Sequence, residues 1–283
     1  MKNSGVELEL GYKINRGDFD FGTNLNVSYI KNELVDLGNA DGFESKDNVH
    51  QIGNVSRAEN GQPYPFFYGW STNGILQNES EADAYNKQYG QSAVPGDVRF
   101  VDYNRDGALT DDDMHNIGNG YPKVTFGWNF NASYKNFDFS MLISGAFGGK
   151  IADVTRRLDC DYVNLPAEFM DRWHGEGTSN KIPRFTFPGK DSNRNWGRFS
   201  DLYIHNGDYA RIKNIQLGYT LPATLTRKFF VSRLRLYVSA ENLFTFTGYK
   251  GLDPELANDA APGIDRGYYL QARTYTVGFN LNF

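Results

Sequence analysis

The sequence predicts an all-β fold, the C-terminal portion of a transmembrane β-barrel built from about seven long antiparallel strands with long extracellular loops. Three observations predict it: strict apolar/polar alternation in seven separated segments, segregation of short and long connections to opposite ends, and strands of about 10 to 14 residues, where soluble sheets average about 5 to 6. A tilted strand needs about 9 to 11 residues to cross a bilayer. Alternating strands average out as hydrophilic, so a mean hydropathy of -0.57 beside 40% hydrophobic and 15% aromatic residues fits a barrel. No apolar run approaches the ~18 residues of a spanning helix, which excludes a helical membrane protein.

Residues 6–13 (VELELGYK) put Val6, Leu8, Leu10 and Tyr12 on one face and Glu7, Glu9, Gly11 and Lys13 on the other. The Asn15–Asp18 turn leads into 19–30, where Phe19, Phe21, Leu25, Val27 and Tyr29 alternate with Asp20, Gly22, Asn24, Asn26 and Ser28, making a hairpin. The signature returns at 122–134 (Val124, Phe126, Trp128, Phe130, Ala132, Tyr134), at 137–147 after a two-residue Lys-Asn turn, and at 209–220, 233–245 and 270–283.

Short links at 14–18, 135–136 and 221–232 alternate with long ones at 31–121, 148–208 and 246–269. Antiparallel strands then carry every long segment to one end, as in barrels with brief periplasmic turns and long extracellular loops. The last strand places Tyr275, Val277, Phe279, Leu281 and Phe283 on one face and ends on Phe283, like the terminal signal read by the barrel-insertion machinery. Chain ends are usually polar and frayed, so an amphipathic aromatic ending is informative. The N-terminal MKNSGVELEL contains no apolar export signal, and the expectation is a fragment of a longer protein.

The long segments are expected to hold short helices at 79–88 and near 165–173. Loops of that length tend to be functional or disordered, and their aromatic content favours function. Residues 102–113 (DYNRDGALTDDD) fit the twelve-residue calcium loop. Asp102, Asn104 and Asp106 would supply side-chain oxygens, Gly107 the sharp turn, the Ala108 carbonyl a further ligand, Thr110 a direct or water-mediated one, and Asp113 the closing carboxylate. Strand-like GDVRFV before the loop rules out an EF-hand pair of helices. Structural Ca2+ that pins a long loop is expected, with an empty acidic turn as the alternative.

A net charge of -5 with scattered Lys and Arg excludes a nucleic-acid surface. Cys160 is the single cysteine and has no disulfide partner within the chain. His50, His115, His174 and His205 form no HExxH or other close pair, no GxSxG elbow or phosphate loop occurs, and nothing fixes the separation of Asp159 and Asp161 or of Asp171 and Glu176. No catalytic residue is expected.

Taken in order, NSGVELELGY, PFFYGWSTNGILQNESEADAY, PGDVRFVDYNRDGALTDDDMHNIGNGYPKVTFGWNFNASYKNFDFSMLISGAFGGKI, DYARIKNIQLGYTLP, RLRLYVSAENLFTFTGYKGLDPE and the closing strand resemble the SusC/RagA group of TonB-linked outer-membrane transporters of Bacteroidetes-type Gram-negative bacteria. The resemblance spans nearly the whole chain. It implies a barrel of about 22 strands, of which this chain supplies the C-terminal part without the plug domain. It also implies import of oligosaccharides or peptides, a SusD-like surface lipoprotein as partner, and coupling to a TonB complex through the missing N-terminal part. In that setting the aromatic rings of Trp70, Trp173, Trp196, Phe67 and Tyr68, with Tyr64 and Phe66, are candidate platforms for ligand, the alternative being that they pack the loops together or form an aromatic girdle at the membrane rim. The rival expectation is a secreted calcium-stabilised β-sandwich that binds carbohydrate.

Overall fold

The structure is a computed structural model that describes residues 1–38, 42–44, 49, 52–155, 164–186, 190–255 and 262–283. Its frame is one seven-stranded sheet: β1 (Lys2–Arg16), β2 (Phe19–Glu33), β3 (Val124–Tyr134), β4 (Phe137–Phe147), β5 (Tyr209–Thr220), β6 (Arg233–Thr247) and β7 (Thr274–Asn282). Spatial order equals chain order and every neighbouring pair is antiparallel. The seven expected strands are the seven observed. Five differ at their ends: β1, β2 and β6 run on past the expected segments, because the backbone ladder does not require side-chain alternation to continue, while β3 and β7 begin later.

Two-residue loops close β1–β2 and β3–β4, with Gly17 (φ 59) and Lys135 (φ 54) taking the positive φ that tight hairpins require. Register then carries the apolar face across the sheet. Leu10, Leu25, Trp128, Ile143, Ile212 and Phe244 form one lateral row. Phe19, Tyr134, Phe137, Tyr219, Leu236 and Phe279 form another at the short-turn end. This face is exposed: Val6 is 70% accessible and Val277 85%. Among the described residues no second sheet backs it, so the sandwich alternative fails. The polar handle of Trp128 is satisfied on the same face, where its indole N–H donates to Thr23 Oγ1 at 2.9 Å and the Thr23 hydroxyl donates to the Asn129 carbonyl at 2.9 Å.

A bulge in β5 breaks the simple alternation read from 209–220. The register shifts beside Lys213 against both β4 and β6. A β-bulge adds one residue to one strand and reverses parity beyond it. That is why Ile212 and Ile215, which a regular strand would send to opposite faces, both lie in the apolar rows.

The long connections fold into a body of their own. Phe43–Glu44, Ser56–Ala58, Phe66–Gly69 and His115–Gly118 make a four-stranded sheet, Thr72–Ile75 pairs with Val98–Phe100, and Lys150–Asp153 pairs with both Ile204–Asn206 and Ile264–Asp265. One buried cluster joins residues of all three long connections: Val55 and Phe67, then Ala152, Phe199 and Tyr203, then Ile264. A second gathers Trp70, Leu76, Ala82, Tyr85, Val98 and Phe100. The expected helix is α1 (Glu79–Tyr89), capped by Asn78 accepting from the Glu81 N–H at 3.1 Å and ended by Gly90 at φ 64. The helix expected near 165–173 is only a 3-10 turn at Ala167–Asp171, since Pro166 in the capping position gives it no side-chain hydrogen bond.

Candidate functional site

The polar face of the sheet collects two ion networks that side-chain alternation alone does not reveal. Near the long-loop end, Arg211 is 3% exposed, with its guanidinium bonded to Asp253, to Glu255 at 2.8 Å and to Thr245 Oγ1 at 2.7 Å. Lys213 adds a bond of 2.6 Å to Glu255. Asp253 also accepts the Gln271 N–H at 3.2 Å. The connection after β6 is thereby folded over the polar face, and desolvating this charge is tolerable because every partner is charged or hydrogen-bonded. Toward the short-turn end, Arg235 holds Asp138, with a second bond of 2.9 Å, and reaches Gln216 Oε1 at 2.9 Å. For Arg235 and Asp138 the sequence signal is a charged residue on the polar side of each of two alternating strands, whereas the partners of Arg211 lie in the connection after β6, where alternation gives no signal.

Glu255, the partner of Arg211, also lines a small cavity of about 160 Å³ together with Tyr209, Lys150, Pro254 and a set of glycines. Ala146 and Tyr209 line it from the sheet, and the rest of its lining comes from the connections between strands. Gly120 cannot be replaced there, because a side chain would strike the Pro262 backbone.

The acidic turn at 102–113 curls around its own carboxylates. Asp102 accepts from the N–H groups of Asp106 (3.2 Å) and Gly107 (3.0 Å), and Asp106 accepts from Ala108 at 2.8 Å. Asn104 Oδ1 accepts from the Asp106 N–H at 2.9 Å, and Gly107 takes φ 87 as the motif demands. Asp113 is fully buried, with one oxygen accepting from Tyr103 at 2.8 Å and the other from Thr110 at 3.0 Å, in a capping box with Thr110. A carboxylate offers about four lone-pair sites, so these bonds leave acceptor capacity at the turn's interior. Among the described residues, however, no three acidic, histidine or cysteine side chains already stand together as a cation cage.

The aromatic candidates fall mainly in the loop cores. Phe67 and Trp196 belong to the first cluster, where Trp196 meets Tyr203 edge-on at 5.5 Å. Trp70 is in the second cluster, 3% exposed, with the Arg198 guanidinium 4.6 Å over its ring. A ring buried on its faces offers no stacking platform in this arrangement, so of the two expectations packing describes Phe67, Trp70 and Trp196; greasy aromatics in a long loop are what lets that loop fold. Tyr68 is half-buried under Arg57 at 4.8 Å, and Trp173 is half-buried against the second cluster. Phe66 is buried and Tyr64 half-buried. Phe283 stands 88% exposed just beyond β7.

His115 is stacked on Tyr103 at 3.6 Å and bonded to Ser71 and the Asp113 carbonyl. His205 meets Tyr249 edge-on, and Glu176 accepts from Asn78 at 2.7 Å. Tyr249 donates to Asp265 at 2.7 Å, and burial followed by that bond pushes its phenol well above the usual range. These are fixed structural contacts. His50, Asp159, Cys160 and Asp161 lie outside the described residues.

A single seven-stranded wall with an exposed apolar face, a polar face carrying ion networks and a folded body at one end is the architecture of a bilayer-spanning β-barrel segment. No protein-family model matches the chain. It is 30% identical to TonB-dependent receptor P3 of Formosa agariphila over 295 residues, spanning 100% of this chain and 29% of that protein. It is 27% identical to TonB-dependent receptor SusC of Bacteroides thetaiotaomicron, spanning 100% of this chain and 26% of that one. Among solved structures, the RagAB peptide transporter superposes with a TM-score of 0.72 at 21% identity, over 99% of this chain and 29% of that one. The chain is of the SusC/RagA type of TonB-dependent receptor, and it spans less than a third of the length of these relatives.

Proposed function

We propose that the chain is the wall and loop body of an outer-membrane receptor that imports nutrients, with oligosaccharides as the first reading of the ligand. The observation that carries import is the meander with its apolar face outward and its polar face lined by fixed ion networks, matched along its full length by TonB-dependent receptors. Peptides are the second reading, favoured by the solved relative described as a peptide transporter. The loop end faces the cell exterior in this reading. There it meets a SusD-like lipoprotein, and energy comes from a TonB complex. The protein then performs no catalysis, and its residues form a wall, a ligand path and a lid contact.

The complete receptor should be deleted and restored in its host, and uptake of labelled oligosaccharides and labelled peptides followed. Loss of oligosaccharide uptake alone supports the first reading, loss of peptide uptake the second, and unchanged uptake of both refutes import of either. Affinity purification of the restored receptor should bring down a surface lipoprotein in stoichiometric amount.

We further propose that Asp102, Asn104, Asp106, Asp113 and the Ala108 carbonyl hold a structural Ca2+, with Thr110 direct or through water. Support comes from the motif spacing and from side chains already turned into the curl of the loop. The ion would neutralise carboxylates that otherwise repel.

A further inference from the structure

The link between β5 and β6 is longer than a hairpin needs. Residues 223–226 form one helical turn, 227–229 continue as a 3-10 turn, and the whole connection runs from 221 to 232. It is closed onto the sheet by the Leu221 N–H donating to the Leu234 carbonyl at 2.9 Å and by Ser232 donating to the Asn282 carbonyl at 2.8 Å. Tertiary contacts therefore fix it, with Thr226 buried at its centre.

What the link turns outward is apolar. Leu225 is 51% exposed, Phe229 76% and Phe230 90%. Phe230 is also the helix-end residue at φ 62, where glycine is the residue of lowest cost and a bulky side chain carries strain. A chain in water has two reasons to avoid phenylalanine at that point, exposure and strain. An apolar medium in contact with the ring removes the first and offsets the second.

Charge points the same way. Arg227, Lys228 and Arg233 sit in or next to the link, and no acidic residue occurs from 209 to 240. Apolar rings interleaved with cations are the pattern of segments that lie in a bilayer interface, rings in the acyl boundary and cations on phosphate. The link is also continuous with the established lipid face. Tyr219 precedes it and Leu234 and Leu236 follow it in the apolar rows, so it begins where the short-turn rim of that face ends.

We infer that residues 221–232 form an interfacial anchor, with Leu225, Phe229 and Phe230 seated in the leaflet on the short-turn side and Arg227 and Lys228 bound to glycerophospholipid phosphates. The anchor fixes the depth of the wall at the rim opposite the loop body. It needs only a bilayer-spanning wall and does not depend on which nutrient is carried.

The test uses the complete receptor in vesicles of phosphatidylethanolamine and phosphatidylglycerol. A nitroxide is placed by Phe230→Cys with the other cysteines replaced, Cys160→Ser among them, and its collisions with oxygen and with a water-soluble nickel chelate are compared. The expected result is at least a several-fold excess of oxygen over nickel accessibility, which falls toward parity in Arg227→Gln/Lys228→Gln. A label freely reached by the nickel chelate, or shielded from both reagents by protein, overturns the inference. A second label at Ile143→Cys, in the middle of the apolar face, separates the failures. If it sits in lipid while the one at 230 does not, the anchor alone is wrong; if it too sits in water, the spanning wall is wrong. Arg227→Gln/Lys228→Gln should keep the folded receptor in detergent yet weaken its preference for anionic over phosphatidylcholine vesicles. An unchanged preference counts against the anchor.

Discussion

The wall and the loop body solve the same problem in two solvents. In the wall, only Ala146 and Ala240 among the apolar side chains of the described strands are buried, and most large side chains point outward. In the loop body, Phe66, Phe67, Phe100 and Tyr203 are almost completely enclosed. The wall satisfies the backbone of its five inner strands through one ladder, with β1 and β7 paired on one side each among the described residues, and leaves its greasy face for lipid. The loop body has irregular backbone, and it covers orphan groups with side chains: the Asn195 carboxamide takes the Val98 N–H at 2.8 Å and gives to Asp97 at 2.8 Å, while Arg184 bonds Asp97 at 2.6 Å. This chain thus carries a core of the water-soluble type in its long connections beside a wall that has none.

The largest effect expected from this contrast is a truncation in the loop core. Phe67→Ala should destabilise the reconstituted receptor's loop body by about 3–5 kcal/mol in denaturant unfolding, whereas Leu10→Ala on the wall should cost much less because lipid fills the space. Equal costs would mean that the outward face of the wall is a protein core. Charge inverts the ranking. Ile143→Arg should cost about 2–4 kcal/mol at mid-bilayer, and Asp83→Arg on the exposed side of α1 should stay within about 0.5 kcal/mol; an inert Ile143→Arg would break the lipid assignment.

A pH series sharpens the comparison from the other side. The Tyr85 phenol, whose oxygen accepts the Phe100 N–H at 3.2 Å, is pushed up to about 12 mainly by burial. Its folded-state value exceeds the ordinary one of 10.0, so its stabilising contribution is complete below pH 10 and is lost as pH rises toward about 12. Loop-body amides should lose exchange protection in that window while wall amides keep theirs, and Tyr85→Phe should flatten the dependence. The smallest effect concerns the acidic turn. Removing Ca2+ by chelation should lower the loop body's midpoint by a few degrees, about 1 kcal/mol, and Asp106→Ala should abolish the response. A midpoint indifferent to both would leave the turn held by hydrogen bonds alone.

Much of the wall was legible because alternation of period two, as in Val124 to Tyr134, records directly which side of a strand meets lipid. The bulge at Lys213 was not, since Ile212 and Ile215 read as an imperfection until both neighbouring registers are known. The acidic turn was legible as a local motif, and its Gly107 adopts the required backbone. The roles of Phe67, Trp70 and Trp196 were not, because an aromatic ring in a loop reads the same whether it stacks on a ligand or on another loop.

By itself the sequence determined what depends on neighbours along the chain: seven amphipathic strands, their sheet order, the tight turns, and helix α1 with its Asn78 and Gly90 caps. Only the tertiary structure decided what depends on residues far apart. Arg211 meets Asp253 and Glu255 across a sequence gap of more than 40 residues, and three separate connections share one core around Phe67, Tyr203 and Ile264. Burial and ion pairing over such distances are set by how the loops close on one another, and side-chain periodicity carries no information about that closure.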